Sequence, residues 1–570
     1  MSKLLRLMLA AAVLTVFVTA AAAAQRGADG ELRMLYWQAP SVLNPFLSGG
    51  TKDIHAAAFV IEPLARYDDD ANMVPALAAE IPTVENGGVA ADLKSVTWKL
   101  RKGVTWSDGT PFTAADVAFT ATYCMHPDGG CNAAPRFENV AAVEAVDDHT
   151  VRISFKVAMP FPYGPFVGST CPVIQKKQFE GCLGAKAPEC TQQNFGPIGT
   201  GAFKVKEFRP NDVVRYEMNE RYRNPDQPAF ASVLVKGGGD AVSAARAVLE
   251  TGEFDYAWNL QVEPEILAAM EKAGKGKVVS AFGTLVERLI VQLANPDPAL
   301  GDKRSTYQDG KNPHPFLSDP AVRRALSLAI DRNILVEAGY GQAGRVTCNV
   351  LPAPPVYAST ANDWCKTQDV AAANKLLDEA GWVRGADGIR AKNGVRLSIL
   401  YQTSTNSVRQ GTQALIKQMW RQIGVETELK NISASVFFGS DPASPDTYQK
   451  FYADIQMYAN QFNGTDPQAY MQGWLCKEIP GPDNQWIGNN MPRYCDAEYE
   501  KLAAELAKTA GIEKRAAIAR RLNDMLMDYG ALIPLIHRGE VGAHALSLGG
   551  VQINAWDALQ WNIQEWHRRK

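Results

Sequence analysis

The chain has 570 residues, enough for two or more domains with large apolar cores. It is 46% hydrophobic and 21% charged, which is ordinary for a soluble globular protein. A net charge of −3, with no block of like charge, gives no basic footprint for nucleic acid.

The first residues form a unit of their own. Lys3 and Arg6 precede an almost wholly apolar run from Leu7 to Val18, and Ala22-Ala23-Ala24 fits a small-x-small cleavage site. Residues 1–24 therefore read as a secretory signal peptide, with the mature chain starting near Gln25. The segment is too short and too alanine-rich at its end for a spanning anchor. No cysteine stands at the cleavage point to take a lipid, and no later run approaches about 18 apolar residues.

Glu31 to Trp37 (ELRMLYW) reads as a strand. Asp68 to Asp70 is a solvated turn. Val96, Trp98 and Leu100 alternate with Thr97, Lys99 and Arg101, the period of a strand with one buried face. Asp108-Gly109 is a turn pair. Thr113 with Asp116, ahead of Val117 and Phe119, has the form of a capping box. Each polar residue between Thr97 and Thr120 thus has a structural task, and the stretch is scaffold rather than active site. Val151 to Val157 alternates as a half-buried strand.

Asp240 to Trp258 reads as a helix and then a strand. Asp319 to Tyr340 holds two helices, each opened by an Asp cap. DVAAANKLLDEAGW is a helix stopped at Gly381. Gly385 to Gly394 (GADGIRAKNG) lacks the acid series of a calcium loop and is expected to be a hairpin. GVRLSILYQTS is a strand; the next helix stops at Gly424 and leads into another strand. This β-α-β order argues α/β lobes. Pro- and Gly-rich joints at Phe161–Pro165, Gly196–Gly201, Asn295–Pro298 and Val350–Pro355 suggest boundaries near residues 60, 200, 290 and 546.

Nine cysteines follow the signal. Export permits disulfides. Near-neighbour spacing suggests Cys124 with Cys131, Cys182 with Cys190, Cys348 with Cys365 and Cys476 with Cys495, leaving Cys171 over. Connectivity does not follow from spacing, and buried free thiols are the alternative.

Motifs of catalysis are absent. EKAGKGK lacks the glycine spacing and Ser/Thr of a phosphate loop. VGST and FFGSD are not nucleophile elbows. The seven histidines show no HExxH or i,i+4 pair, and the cysteines no CxxC. No catalytic residue, metal site or cofactor is expected.

Several segments together resemble one family, the large extracellular solute-binding proteins (family 5) of ATP-binding cassette importers, with oligopeptide-, dipeptide- and nickel-binding members. Glu62–Glu80 followed by VTWKLRKGVTWSDGTPFTAADVAFT resembles its signature region. Ile198–Arg223 resembles its return strand, DPAVRRALSLAIDRNILVEAGYG and AANKLLDEAGW its second-lobe helices, and Ala531–Arg538 its late strand. The resemblance implies an α/β, two-lobed periplasmic binding protein fold with a ligand cleft between lobes joined by hinge strands. Lobe 1 would combine residues 25–60, 200–290 and 547–570; residues 61–199 would be a subdomain packed on it; lobe 2 would be 291–546. It also implies a monomer, without a membrane anchor, that serves a membrane permease and captures peptides or peptide-like solutes. A carrier of an opine, an oligosaccharide or a nickel chelate on the same fold is the alternative. A secreted α/β hydrolase with no readable motif is the rival of another class.

Two loops would line the cleft. In Ser41–Asp53, Gly49 and Gly50 let backbone approach closely and Thr51 offers a hydroxyl; an ordinary Gly turn is the other reading. In Met457–Tyr470, Tyr458 and Phe462 could wall a ligand while Asn460, Asn463 and Asp466 bond it. The other reading there is a turn at Asn463-Gly464 and a helix start at Asp466-Pro467. Dipeptide-type relatives hold the ligand ammonium with an Asp in this second loop and its carboxylate with an Arg after a strand. Here Phe462-Asn463 and Thr403 to Thr405 fall at those places, with Arg409 further on. Asp466 or Lys52 are the remaining candidate charge anchors. As aligned, the double clamp is missing, and weak binding of free dipeptides is expected.

Overall fold

The computed structural model describes residues 26–439, 441–462 and 464–569. The signal-peptide reading, and Asn463, lie outside these residues. Two mixed sheets organise the chain, each covered by helices. The first has seven strands, in the order Gly276–Ala281, Glu540–Ala545, Tyr256–Trp258, Glu31–Tyr36, Ser232–Gly237, Val213–Met218, Phe203–Arg209. The second has six, in the order Gly344–Val346, Leu532–Arg538, Val286–Val291, Ile455–Asn460, Ser398–Ser404, Glu426–Ile432. Both have parallel pairs: Glu31–Tyr36 beside its two neighbours at the centre of the first, and Ser398–Ser404 beside Glu426–Ile432 and Ile455–Asn460 at one edge of the second. Such pairs need helical crossovers, and the helix Ser407–Gln422 supplies one of them. A three-stranded sheet of Ser95–Lys99, Thr150–Phe155 and Val140–Asp147 lies with the first. Its core is continuous with that of the seven-stranded sheet, as Trp98, Ile153 and Val233 share one cluster.

Local chemistry places these elements as read. Asp116 accepts from the Thr113 backbone N–H at 3.0 Å, and also from Trp106 Nε1 at 3.2 Å and Lys176 N at 3.0 Å. The Thr97–Thr120 stretch is thus internally bonded scaffold. Asp319 and Asp331 cap their helices through Ala321 N and Asn333 N. Residues 383–396 form two tight hairpins, the second turning at Asn393-Gly394. All four neighbour cysteine pairs are disulfides, and Cys171 is a buried free thiol.

The chain crosses between the two large sheets at residues 282–285 and again at Gly539. On one side of the crossings Leu532–Arg538 pairs antiparallel with Val286–Val291; on the other Glu540–Ala545 pairs antiparallel with Gly276–Ala281. Arg538 N bonds Leu285 O at 2.9 Å at the crossing itself. The return to the first sheet therefore comes at Gly539, ahead of the boundary expected near 546. The two strands stay paired with the same partner run through the crossing, and composition carries no sign of that.

Candidate functional site

A cavity of about 190 Å³ lies between the two sheets, beside the crossings. The first lobe contributes Gly49, Gly50, Thr51 and Lys52; the region of the small sheet contributes Asn132, Arg136 and Thr170. The second lobe contributes Tyr448, Tyr458, Asn460, Phe462, Asp466, Tyr470 and Trp474, and the crossing adds Arg538 and Glu540. Of the expected ligand-facing residues, Gly49, Gly50, Thr51, Tyr458, Asn460, Phe462 and Asp466 all border this one cavity. Loops more than 400 positions apart are joined because each follows a strand end facing the other lobe.

The lobes touch across the cavity. A Cβ on Gly49 would stand 2.5 Å from the Tyr448 hydroxyl, and one on Gly464 within 2.3 Å of the Tyr67 ring. Gly464 N donates to Trp556 O at 2.7 Å, and Lys477 Nζ pairs with Glu138 Oε1 at 2.8 Å. Gly50 caps the helix Thr51–Ala57, so the loop turns straight into a helix at the cavity wall.

The charges sort into matched and unmatched groups. Lys52 Nζ is held by Asp53 at 2.9 Å and by Ser41 Oγ at 2.8 Å, fully buried. Burial pulls its pKa down and Asp53 opposes that. Asp466 accepts from Arg515 at 2.6 and 2.9 Å and also caps the helix Gln468–Gln472 through Gln468 N at 3.0 Å. Both candidate charge anchors are therefore already paired within the protein. Glu287, fully buried, binds Arg409 Nε at 2.8 Å and lies 3.6 Å from Arg538. Glu540, also buried, has its pKa raised by burial, with Arg538 opposing. Arg136 and Arg288 have no carboxylate partner among the described residues; Arg136 bonds Gly164 O and Thr170 Oγ1. His55 accepts from Trp258 Nε1 at 2.9 Å, and burial drives its pKa down to about 3, so the ring is neutral.

Thr403 does not face the cavity: it is buried, its hydroxyl on Met457 O at 2.7 Å. Arg409, one helical turn into Ser407–Gln422, does. Tyr448, Tyr470, Trp474, Arg538 and Glu540 were not singled out by sequence. A signal existed for the charged strand: VERLIV places two opposite charges inside an otherwise apolar run, and all six residues are buried. Tyr458 is walled by Tyr448 at 5.2 Å between ring centroids, and Phe462 by Tyr470 at 5.4 Å. Among the described residues no group of three or more His, Cys, Asp or Glu could hold a metal ion.

Two α/β lobes joined at adjacent crossings, with an aromatic-walled cavity between them, define a two-lobed binding protein. The profile of the bacterial extracellular solute-binding proteins, family 5, matches residues 72–481, and the chain belongs to that family. Protein XP55 of Streptomyces lividans is 30% identical over 402 residues, which is 70% of this chain and 66% of that protein. The glutathione-binding protein GsiB of Escherichia coli (strain K12) is 23% identical over 515 residues, 90% of each chain. Among solved structures, the oligopeptide-binding protein AppA of Bacillus subtilis, in complex with a nonapeptide, superposes with a TM-score of 0.80 at 21% identity, covering 96% of this chain and 100% of AppA. NikZ of Campylobacter jejuni, in complex with Ni(L-His), gives 0.78 at 21% identity, covering 95% and 100%. AppA and GsiB are both named as binding proteins.

Proposed function

We propose that this protein is the periplasmic solute-binding component of an ATP-binding cassette importer. It captures peptides or peptide-like solutes between its lobes and hands them to a membrane permease. The carrying observation is the cavity between lobes that meet at adjacent crossings, bordered by the loop residues expected to contact ligand. The naming of AppA and GsiB as oligopeptide- and glutathione-binding supports the peptide class. Four disulfides support a location outside the cytoplasm, and no described helix is long and apolar enough to cross a membrane. It acts as a monomer without catalysis. Gly49, Gly50, Thr51, Tyr458, Asn460 and Phe462 contact the solute, and Asp466 shapes the wall while paired to Arg515.

The test is mass spectrometry of solute released by denaturing freshly purified protein, followed by titration calorimetry with peptides of two to nine residues and glutathione. A peptide-like solute that rebinds is expected. Release and rebinding of a sugar or a nickel chelate, with no peptide binding, would replace the peptide reading by another cargo. Turnover of generic hydrolase substrates would overturn the carrier reading itself.

A further inference from the structure

We propose that the end of the cavity walled by Tyr458, Tyr470 and Trp474 is an anion subsite formed by the Tyr470 hydroxyl and backed by Arg288, which lies buried behind it, and that it selects peptide-like solutes carrying a carboxylate at that end. The inference rests on the solute-binding reading above and names the ligand chemistry of the same cleft.

Arg288 is fully buried on the strand Val286–Val291. Alternation sends its side chain to the face opposite Glu287, away from Arg409 and Arg538. Among the described residues it is faced by rings rather than by a carboxylate: its guanidinium carbon lies 5.9 Å from the Tyr458 and Tyr470 centroids and 5.2 Å from that of Trp474. Its Nη1 donates to the Tyr470 hydroxyl, while Nε and Nη2 are buried and make no hydrogen bond. Trp474 Nε1 is likewise buried and without an acceptor. An ionised group in such a place is expensive unless its charge is answered.

The direction of the Arg288–Tyr470 bond fixes what the wall offers. The Tyr470 oxygen accepts from Arg288, so its own proton is left to donate, and Tyr470 borders the cavity. The positive charge behind the hydroxyl strengthens it as a donor. The donor at this end is the Tyr470 hydroxyl, backed by the Arg288 charge; Gln461 and Asn489, whose amides both donate and accept, also border the cavity. Of the acids that border the cavity, Asp466 is paired to Arg515, and Glu540 lies at the crossing beside Arg538. A carboxylate suits that end; an ammonium does not.

The test is a matched pair of tripeptides, Ala-Ala-Glu and Ala-Ala-Gln, each also as its C-terminal amide, titrated against wild type, Arg288→Met and Tyr470→Phe. In wild type, probes with a carboxylate at the subsite should bind at least about tenfold tighter than their neutral counterparts, the span expected for a hydrogen bond to a charged group. Arg288→Met should abolish that preference while changing the fully amidated neutral probe by less than about threefold. Its thermal unfolding should be no lower than wild type, since it removes an uncompensated buried charge. Tyr470→Phe, at the cavity surface, should reduce the preference without loss of folding. Equal binding of acid and amide by wild type, or an acid preference that survives in Arg288→Met, overturns the subsite and leaves the peptide-carrier reading standing. Failure of every probe to bind wild type overturns the subsite; the peptide-carrier reading falls with it only if no peptide of two to nine residues and no glutathione binds either.

Discussion

At Gly49 the absence of one carbon sets how closely the two lobes approach. The Tyr448 hydroxyl occupies the place a Cβ would take, and Tyr448 is itself fixed among Phe437, Phe438 and Tyr458. The glycine is needed for room rather than for backbone freedom. Gly49→Ala should therefore leave thermal stability nearly unchanged but weaken solute binding about tenfold or more, about 1.4 kcal/mol, as measured by calorimetry. An unchanged affinity would mean that Tyr448 yields freely. His55 carries a second expectation. Its folded pKa, about 3, lies below the ordinary 6.5. The folded ring stays neutral while the unfolded chain gains a proton, so the stability His55 contributes is present above pH 6.5 and is lost as pH falls from there toward 3. Between pH 6.5 and 5 this amounts to about 1–2 kcal/mol at most. His55→Gln, which keeps an acceptor for Trp258, should flatten that part of the pH–stability profile in urea titrations.

The strand Val286–Val291 shows how one element serves two sites through its alternation. Glu287 joins the Arg409–Arg538 side and Arg288 the aromatic side. Glu287→Gln would leave two buried arginines without their shared acid, and should cost about 3–5 kcal/mol in denaturant unfolding. The double variant with Arg409→Gln should cost less than the two single effects added, since the pair acts as a unit. The charged strand left a signal in sequence but its partners did not, because Glu287 and Arg409 are 122 residues apart and Asp466 and Arg515 are 49 apart. What was legible is local: the Asp caps, the Asn393-Gly394 turn, the alternation of the strands. The loops at the cavity came from the family resemblance, and the disulfide pairs from spacing, which finds partners only because each loop is short. The longer two, Cys348–Cys365 and Cys476–Cys495, have sequence separations of 17 and 19. Each should contribute about 3 kcal/mol in the chain-entropy account. Non-reducing peptide mapping should find all four bonds, and Cys476→Ala with Cys495→Ala should lower stability by about that amount.

For the molecule as a whole, the two crossings make a hinge. Residues 282–285 and Gly539 are the covalent links between the large sheets, and they lie side by side. The lobes also meet through buried bonds near the crossings, such as Asn406 Nδ2 to Gln261 O at 2.9 Å and Gln261 Nε2 to the Tyr340 hydroxyl at 2.8 Å, through an apolar cluster that joins Trp37 and Leu260 to Ala434, and through contacts at the far rim of the cavity. The Lys477–Glu138 pair is partly solvent-exposed and is worth at most about 1 kcal/mol. The Gly464–Trp556 bond is one neutral backbone contact, worth about 0.5–1.5 kcal/mol. Rim contacts of this size add little to the closed state. A solute that touches both walls adds more, because it has differential affinity for the closed arrangement. Small-angle scattering should accordingly give a larger radius of gyration for solute-free protein than for protein at saturation. Gly464→Ala sharpens the test, since its added carbon would collide with the Tyr67 ring. That variant should keep the larger radius at solute concentrations that close the wild type, and should need roughly tenfold more solute to close, a shift of about 1.4 kcal/mol. A radius that does not change with saturating solute in the wild type would show that the cavity fills without lobe motion, and the hinge would then be a feature of the fold and not of its function.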